Sequence, residues 1–74
     1  MAPPRFAVCL DNAGYEASLE TGKLYRILPD ADGNRHGYIR IIDESGEDYL
    51  YTSERFFPLT LPQTVAETLL VSGD

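Results

Sequence analysis

The side chains able to do chemistry are few: one histidine, His36, one cysteine, Cys9, and two short carboxylate runs, Asp30-Ala31-Asp32-Gly33-Asn34 and Asp43-Glu44-Ser45-Gly46-Glu47-Asp48. A hydrolase needs a nucleophile, a base within hydrogen-bond reach and a group that orients the base. His36 is the sole imidazole and stands in a glycine-flanked polar stretch, where nothing shelters it from water. Cys9 has Asp11 close by in sequence and no cation nearer than Arg5, surroundings that do not favour a thiolate; it reads as a small hydrophobe. The run from Asp30 imitates the opening of a calcium loop, because hard cations want several oxygen ligands on a glycine-turned backbone, but the closing glutamate is missing. The run from Asp43 reads as a polar turn that blunts an exposed edge. No catalytic, cofactor-binding or metal-ligating residue is expected, and no cofactor.

Length and charge narrow the classes further. With 74 residues there is room for one core; a chain this short buries only about 60% of its surface and is marginally stable. A lone cysteine makes no internal disulfide, so stability must come from packing or from a partner. Twelve acidic against six basic residues give a net charge of −6, which repels phosphate backbones. Arg5, Lys23, Arg26, Arg35, Arg40 and Arg55 are scattered singly, so no basic block offsets the total and no nucleic-acid partner is expected. No run approaches the roughly 18 apolar residues that cross a bilayer, so no membrane association is expected. The lone thiol suits a reducing compartment, and Met1-Ala2-Pro3-Pro4-Arg5 lacks the apolar run of a signal peptide; the expected location is the cytoplasm.

The elements that must position these residues are strands. Arg5 to Leu10 alternates with Phe6, Val8 and Leu10 on one face and Arg5, Ala7 and Cys9 on the other, the period of a half-buried strand. Turn residues from Asp11 open a loop to about Glu20, and Lys23 to Leu28 forms the second strand, stopped by Pro29. Asp30 to Gly37 reads as an exposed hairpin loop, and Tyr38 to Ile42 as the third strand, with Ile39 and Ile41 on one face. A tight turn at Ser45-Gly46 returns the chain into Tyr49 to Thr52. Ser53-Glu54-Arg55 suits a single 3₁₀ turn before a fifth strand, Phe56 to Leu61. Beyond Pro62, Gln63 to Val71 reads either as a short amphipathic helix or as a flexible tail.

Five strands separated by a long loop, a polar loop, a tight hairpin and one helical turn form the layout of the SH3-like barrels. Leu19-Glu20-Thr21-Gly22-Lys23-Leu24-Tyr25-Arg26-Ile27-Leu28 resembles the entry to the second SH3 strand, and Ser45 through Phe56 resembles the distal hairpin and helical turn. The chain also resembles a set of short uncharacterised bacterial proteins that share a Gly-Glu-Asp-Tyr-Leu-Tyr core and a Phe-Pro-Leu-Thr-Leu-Pro-like ending. The resemblance implies an all-β fold, a small five-stranded SH3-like barrel over residues 6–61, with an N-terminal extension at 1–5 and a short helix or flexible tail at 62–74.

SH3 domains hold peptides on a groove lined by aromatic side chains. The resemblance places Tyr38 where their tryptophan stands, and Tyr15, Phe56 and Pro58 in the same groove, between the first loop and the helical turn. Strand alternation forces Phe56 and Phe57 to opposite sides, so one large apolar ring faces outward. With Glu16 and Glu54 as acidic flanks, the expected function is a non-catalytic module that binds a peptide or protein partner of basic character. Two alternatives stand beside it: a self-associating accessory protein that forms a homodimer through a strand edge or the C-terminal segment, and a small acidic regulator of a basic partner.

Overall fold

In the computed structural model, which describes residues 5–72, the alternating segments form one antiparallel sheet. The strands are β1 (Arg5–Cys9), β2 (Leu24–Leu28), β3 (Tyr38–Ile42), β4 (Asp48–Thr52) and β5 (Phe56–Leu59). Their order across the sheet is β4-β3-β2-β1-β5. The chain is thus all-β in class, and the sheet is open: β4 and β5 are its edges and do not pair with each other. The expected 3₁₀ turn at Ser53–Arg55 joins the two edge strands, but not through a serine cap: Thr52 holds the cap position without a side-chain hydrogen bond, and the Ser53 hydroxyl donates to Gly37 O. Gly46 closes the β3–β4 turn at φ +85°, a value that side-chain-bearing residues rarely adopt. Arg5 already belongs to β1; the rest of the expected N-terminal extension lies outside the described residues, as do Gly73 and Asp74 at the other end.

Registers fix which side chains share a face. Ala7 opposes Tyr25, Ile27 opposes Ile41, Ile39 opposes Tyr51 and Cys9 opposes Phe56, so these residues line one side of the sheet. With Leu19 from the long first loop, all of these except Ile27 make the main core, against which Tyr15 and Ile27 pack. The loop is held over that core by its own backbone: Leu19 N–H donates to Tyr15 O, Glu44 N–H to Ser18 O, and Asn12 Nδ2 to Leu19 O. Leu19 therefore acts as a core residue although no strand carries it.

The opposite side of the sheet carries two helices. One, α2 (Gln63–Ser72), lies near β1 and β2, where Phe6 and Leu69 line a common groove and both Phe6 and Ala66 are buried. Covering both sides of β1 explains why Phe6 and Ala7, neighbours on opposite faces, are both shielded. The other helix, α1 (Ala31–Arg35), stands where the polar loop was expected. Asp30 makes it possible: one carboxylate oxygen caps Gly33 N–H at 2.8 Å and the other accepts from Arg40 of β3, whose guanidinium also reaches Asp48. Gly33 is buried against Leu50, at a spacing where an added Cβ would sit 3.1 Å from Leu50 Cδ2. The loop's composition signalled turn chemistry, and the cap on Asp30 turned that chemistry into a helical turn instead. Asp30→Ala removes the cap and the half-buried Asp30–Arg40 pair together. It is expected to lower the melting temperature by several degrees; an unchanged melt would remove α1 from the stabilising elements. Among the described residues, no helix is long and apolar enough to cross a membrane.

Candidate functional site

The first loop and the 3₁₀ turn meet at Arg55. Its backbone carbonyl accepts from Leu10 N–H at 2.7 Å, and its guanidinium donates to the carbonyls of Asp11 and Ala13 at 3.1 and 2.9 Å. The same guanidinium lies over the Tyr15 ring, 4.9 Å from its centroid. Tyr15 in turn meets Tyr51 edge to face at 5.0 Å and Tyr49 at 6.3 Å, while Tyr49 and Tyr51 are 5.0 Å apart. The result is a graded aromatic cluster. Tyr51 is buried in the core, Tyr15 is half-buried, and Tyr49 is 52% exposed.

This cluster is polar at its base. Tyr51 Oη donates to Asp43 Oδ2 at 2.7 Å, and Asp43 also accepts from the Ser45 backbone and hydroxyl. Burial alone would raise Asp43, but the hydrogen bonds from Ser45 and Tyr51 outweigh it and hold the carboxylate below its ordinary range. Burial, with the neighbouring Asp43 charge, pushes Tyr51 up, so it stays a neutral donor. Tyr25 repeats the arrangement: buried and pushed up, it accepts from Glu20 N–H and donates to Glu44 Oε2, which also accepts from Lys23. Glu44 is lowered first by Lys23 and then by Tyr25.

The structure brings only part of the expected groove together. Tyr15 is present and stacked on Arg55. Phe56 is 4% exposed and packs edge to face on Tyr25 and obliquely on Tyr51, so it supports the cluster from inside the core and offers no surface. Tyr38, 42% exposed, opposes Thr52 on the far side of the sheet from Ile39 and Tyr51, so it does not join Tyr15. Phe57 is the outward member of the Phe pair. Glu16 and Glu54 are exposed and flank Tyr15 and Arg55 in the chain, and Pro58 is exposed on edge strand β5. Tyr49 and Arg55 were not singled out by sequence. Tyr49 shares a face with core residues, but it stands where β4 meets the polar turn and the core ends; Arg55 is the one cation in the segment that returns to the first loop.

Cys9 is buried, and its thiol is pushed up by that burial. His36 is exposed at the end of α1, its Nδ1 2.8 Å from Asp32 O. Among the described residues, no three His, Cys, Asp or Glu side chains are grouped to hold a metal ion. A groove of about 520 Å³ runs between β2, the 43–46 turn and α2, lined by Leu24, Ile42 and Leu69 with the Lys23–Glu44 pair at its rim. Comparison with known proteins adds no relative: no family model, curated protein or solved structure matches the chain.

Proposed function

We propose that the chain is a non-catalytic interaction module, an SH3-like barrel in type, that binds a peptide or protein partner through the Tyr15–Tyr49 surface. The barrel assignment draws support from the strand order, the long first loop folded over the core and the helical turn before the last strand. The single observation that carries the functional reading is Tyr49: a large ring left half open to solvent and braced by Tyr15 and Tyr51, with Arg55 fixed behind Tyr15. Braced aromatics lose little side-chain entropy on contact and dominate the energetics of interfaces. Glu16, Glu47 and Glu54 are exposed nearby in the chain and form no ion pair among the described residues, which suits a basic partner.

Selection of a random peptide library on the immobilised protein tests this. Enriched peptides should carry Lys or Arg among apolar residues, and Tyr49→Ala should weaken their binding at least tenfold, roughly 1.4 kcal/mol, without changing the melting temperature. Tyr38→Ala should bind as the wild type does. Equal binding by Tyr49→Ala and wild type, or a selection that enriches nothing, would remove the proposal.

A further inference from the structure

We infer that the partner docks as an extended basic peptide adding a further strand to the free edge of β4; this rests on the reading of the Tyr15–Tyr49 surface just given. The hydrogen-bond phase of the sheet shows which backbone groups are available. Asp43 N–H donates to Glu47 O at 3.1 Å and Ser53 N–H to Gly37 O at 3.0 Å. Both pairs lie in the register that matches Ile39 with Tyr51 and Ile41 with Tyr49. Because antiparallel pairs alternate between bonded and non-bonded positions, Tyr49 and Tyr51 spend their backbone groups on β3. Asp48, Leu50 and Thr52 then turn theirs to the side where β4 has no neighbour. Among the described residues, no loop hydrogen bond reaches those three N–H groups.

The other edge is closed by the same reasoning. Leu10 N–H bonds Arg55 O, in the register that matches Val8 with Phe57, so Phe56 and Pro58 face the open side of β5. Proline has no N–H, and Phe56 N–H is already given to Ser53 O. One edge offers no donor, whereas the other offers three in an unbroken strand without proline or lysine.

Charge and geometry choose the occupant. A second copy would bring another net charge of −6 to this edge, whereas Lys or Arg side chains would meet the unpaired Glu47 and Glu54 that bracket β4. In an added strand, residues of one parity face Tyr49 and Tyr51, and those of the other parity face Leu50. The fit is therefore to a peptide with apolar residues at alternate positions and cations between them.

The probe is the peptide acetyl-Lys-Val-Lys-Val-Lys-Val-Lys-amide, followed by amide hydrogen exchange and titration. At saturation, exchange at Asp48, Leu50 and Thr52 is expected to slow at least about tenfold, as for newly bonded amides. Thr52→Pro is the decisive variant. Thr52 has φ −65°, the value the proline ring imposes, and the N–H it loses is an outward one, so the fold and its melting temperature should persist. Peptide affinity should fall at least about tenfold, since a hydrogen bond is lost and a ring obstructs the new strand. Three results would overturn the inference: Thr52→Pro binding as the wild type does, equal binding of the Glu-Val counterpart, or protection of the same amides by rising protein concentration alone, which marks a second copy. If Tyr49→Ala weakens binding while Thr52→Pro does not, strand addition fails and the surface reading stands; if neither weakens it, both fail.

Discussion

Phe56→Ala is expected to unfold much of the protein at room temperature, at a cost of about 3–5 kcal/mol. Phe56 is almost fully buried, pairs across β1 with Cys9, and supports both Tyr25 and Tyr51 through ring contacts. Truncation leaves a cavity under three elements at once, and β5 is an edge strand with no second neighbour to hold it. A 74-residue domain commands only about 4–11 kcal/mol in total, so the loss approaches the whole. Phe57→Ala is the control: its ring is 56% exposed on the opposite face, and the expected change is within about 1 kcal/mol. Urea unfolding followed by circular dichroism separates the two. If Phe56→Ala melted like the wild type, Phe56 would belong to the surface, as the groove expected from sequence requires.

Tyr51→Phe should cost about 2 kcal/mol at neutral pH, and the cost should shrink in acid. The hydroxyl of Tyr51 donates to Asp43, a half-buried carboxylate, and its removal strands that charge. The sign follows from the shifts. Asp43 and Glu44 are both held below their ordinary values of 3.8 and 4.5, so their contribution is complete above those values and is lost as the pH falls through the depressed ones. Wild-type stability should therefore decline below about pH 4, and the gap to Tyr51→Phe should close as Asp43 is neutralised. Tyr25 and Tyr51 are shifted up from 10.0, so their contribution is complete below pH 10 and is lost as the pH rises beyond it. Urea midpoints measured across the acid range for both proteins provide the check; a gap that stays constant down to pH 2.5 would show that Asp43 is not the group being satisfied.

Much of the architecture is legible in the residues. Period-two alternation marks the first, third and fourth strands, aromatic and β-branched residues mark the second and an apolar run the fifth, and Pro29 and the Ser45-Gly46 turn mark ends. The third strand spans Tyr38–Ile42 as predicted, whereas the second begins at Leu24 and the fifth stops at Leu59, short of the expected Lys23 and Leu61. The alternation also requires Phe56 and Phe57 to part, and Tyr49 and Tyr51 to share a face. A strand pattern is local, a property of neighbouring side chains on one pleated backbone, which is why it is readable without the fold.

What covers each face is not local, and only the tertiary structure decided it. Phe56 turns inward because β5 lies beside β1 with Phe56 opposite Cys9; Tyr38 leaves the expected groove because its register with Thr52 sets it on the far face. Asp30 becomes a helix cap because Arg40, ten residues on and in another element, holds its second oxygen. Tyr15 is far along the chain from Tyr49 and Arg55, and its meeting with them depends on the first loop closing over the core through Leu19. Alternation gives each residue a side, but burial depends on which distant segment arrives there, and that depends on packing among all the elements at once.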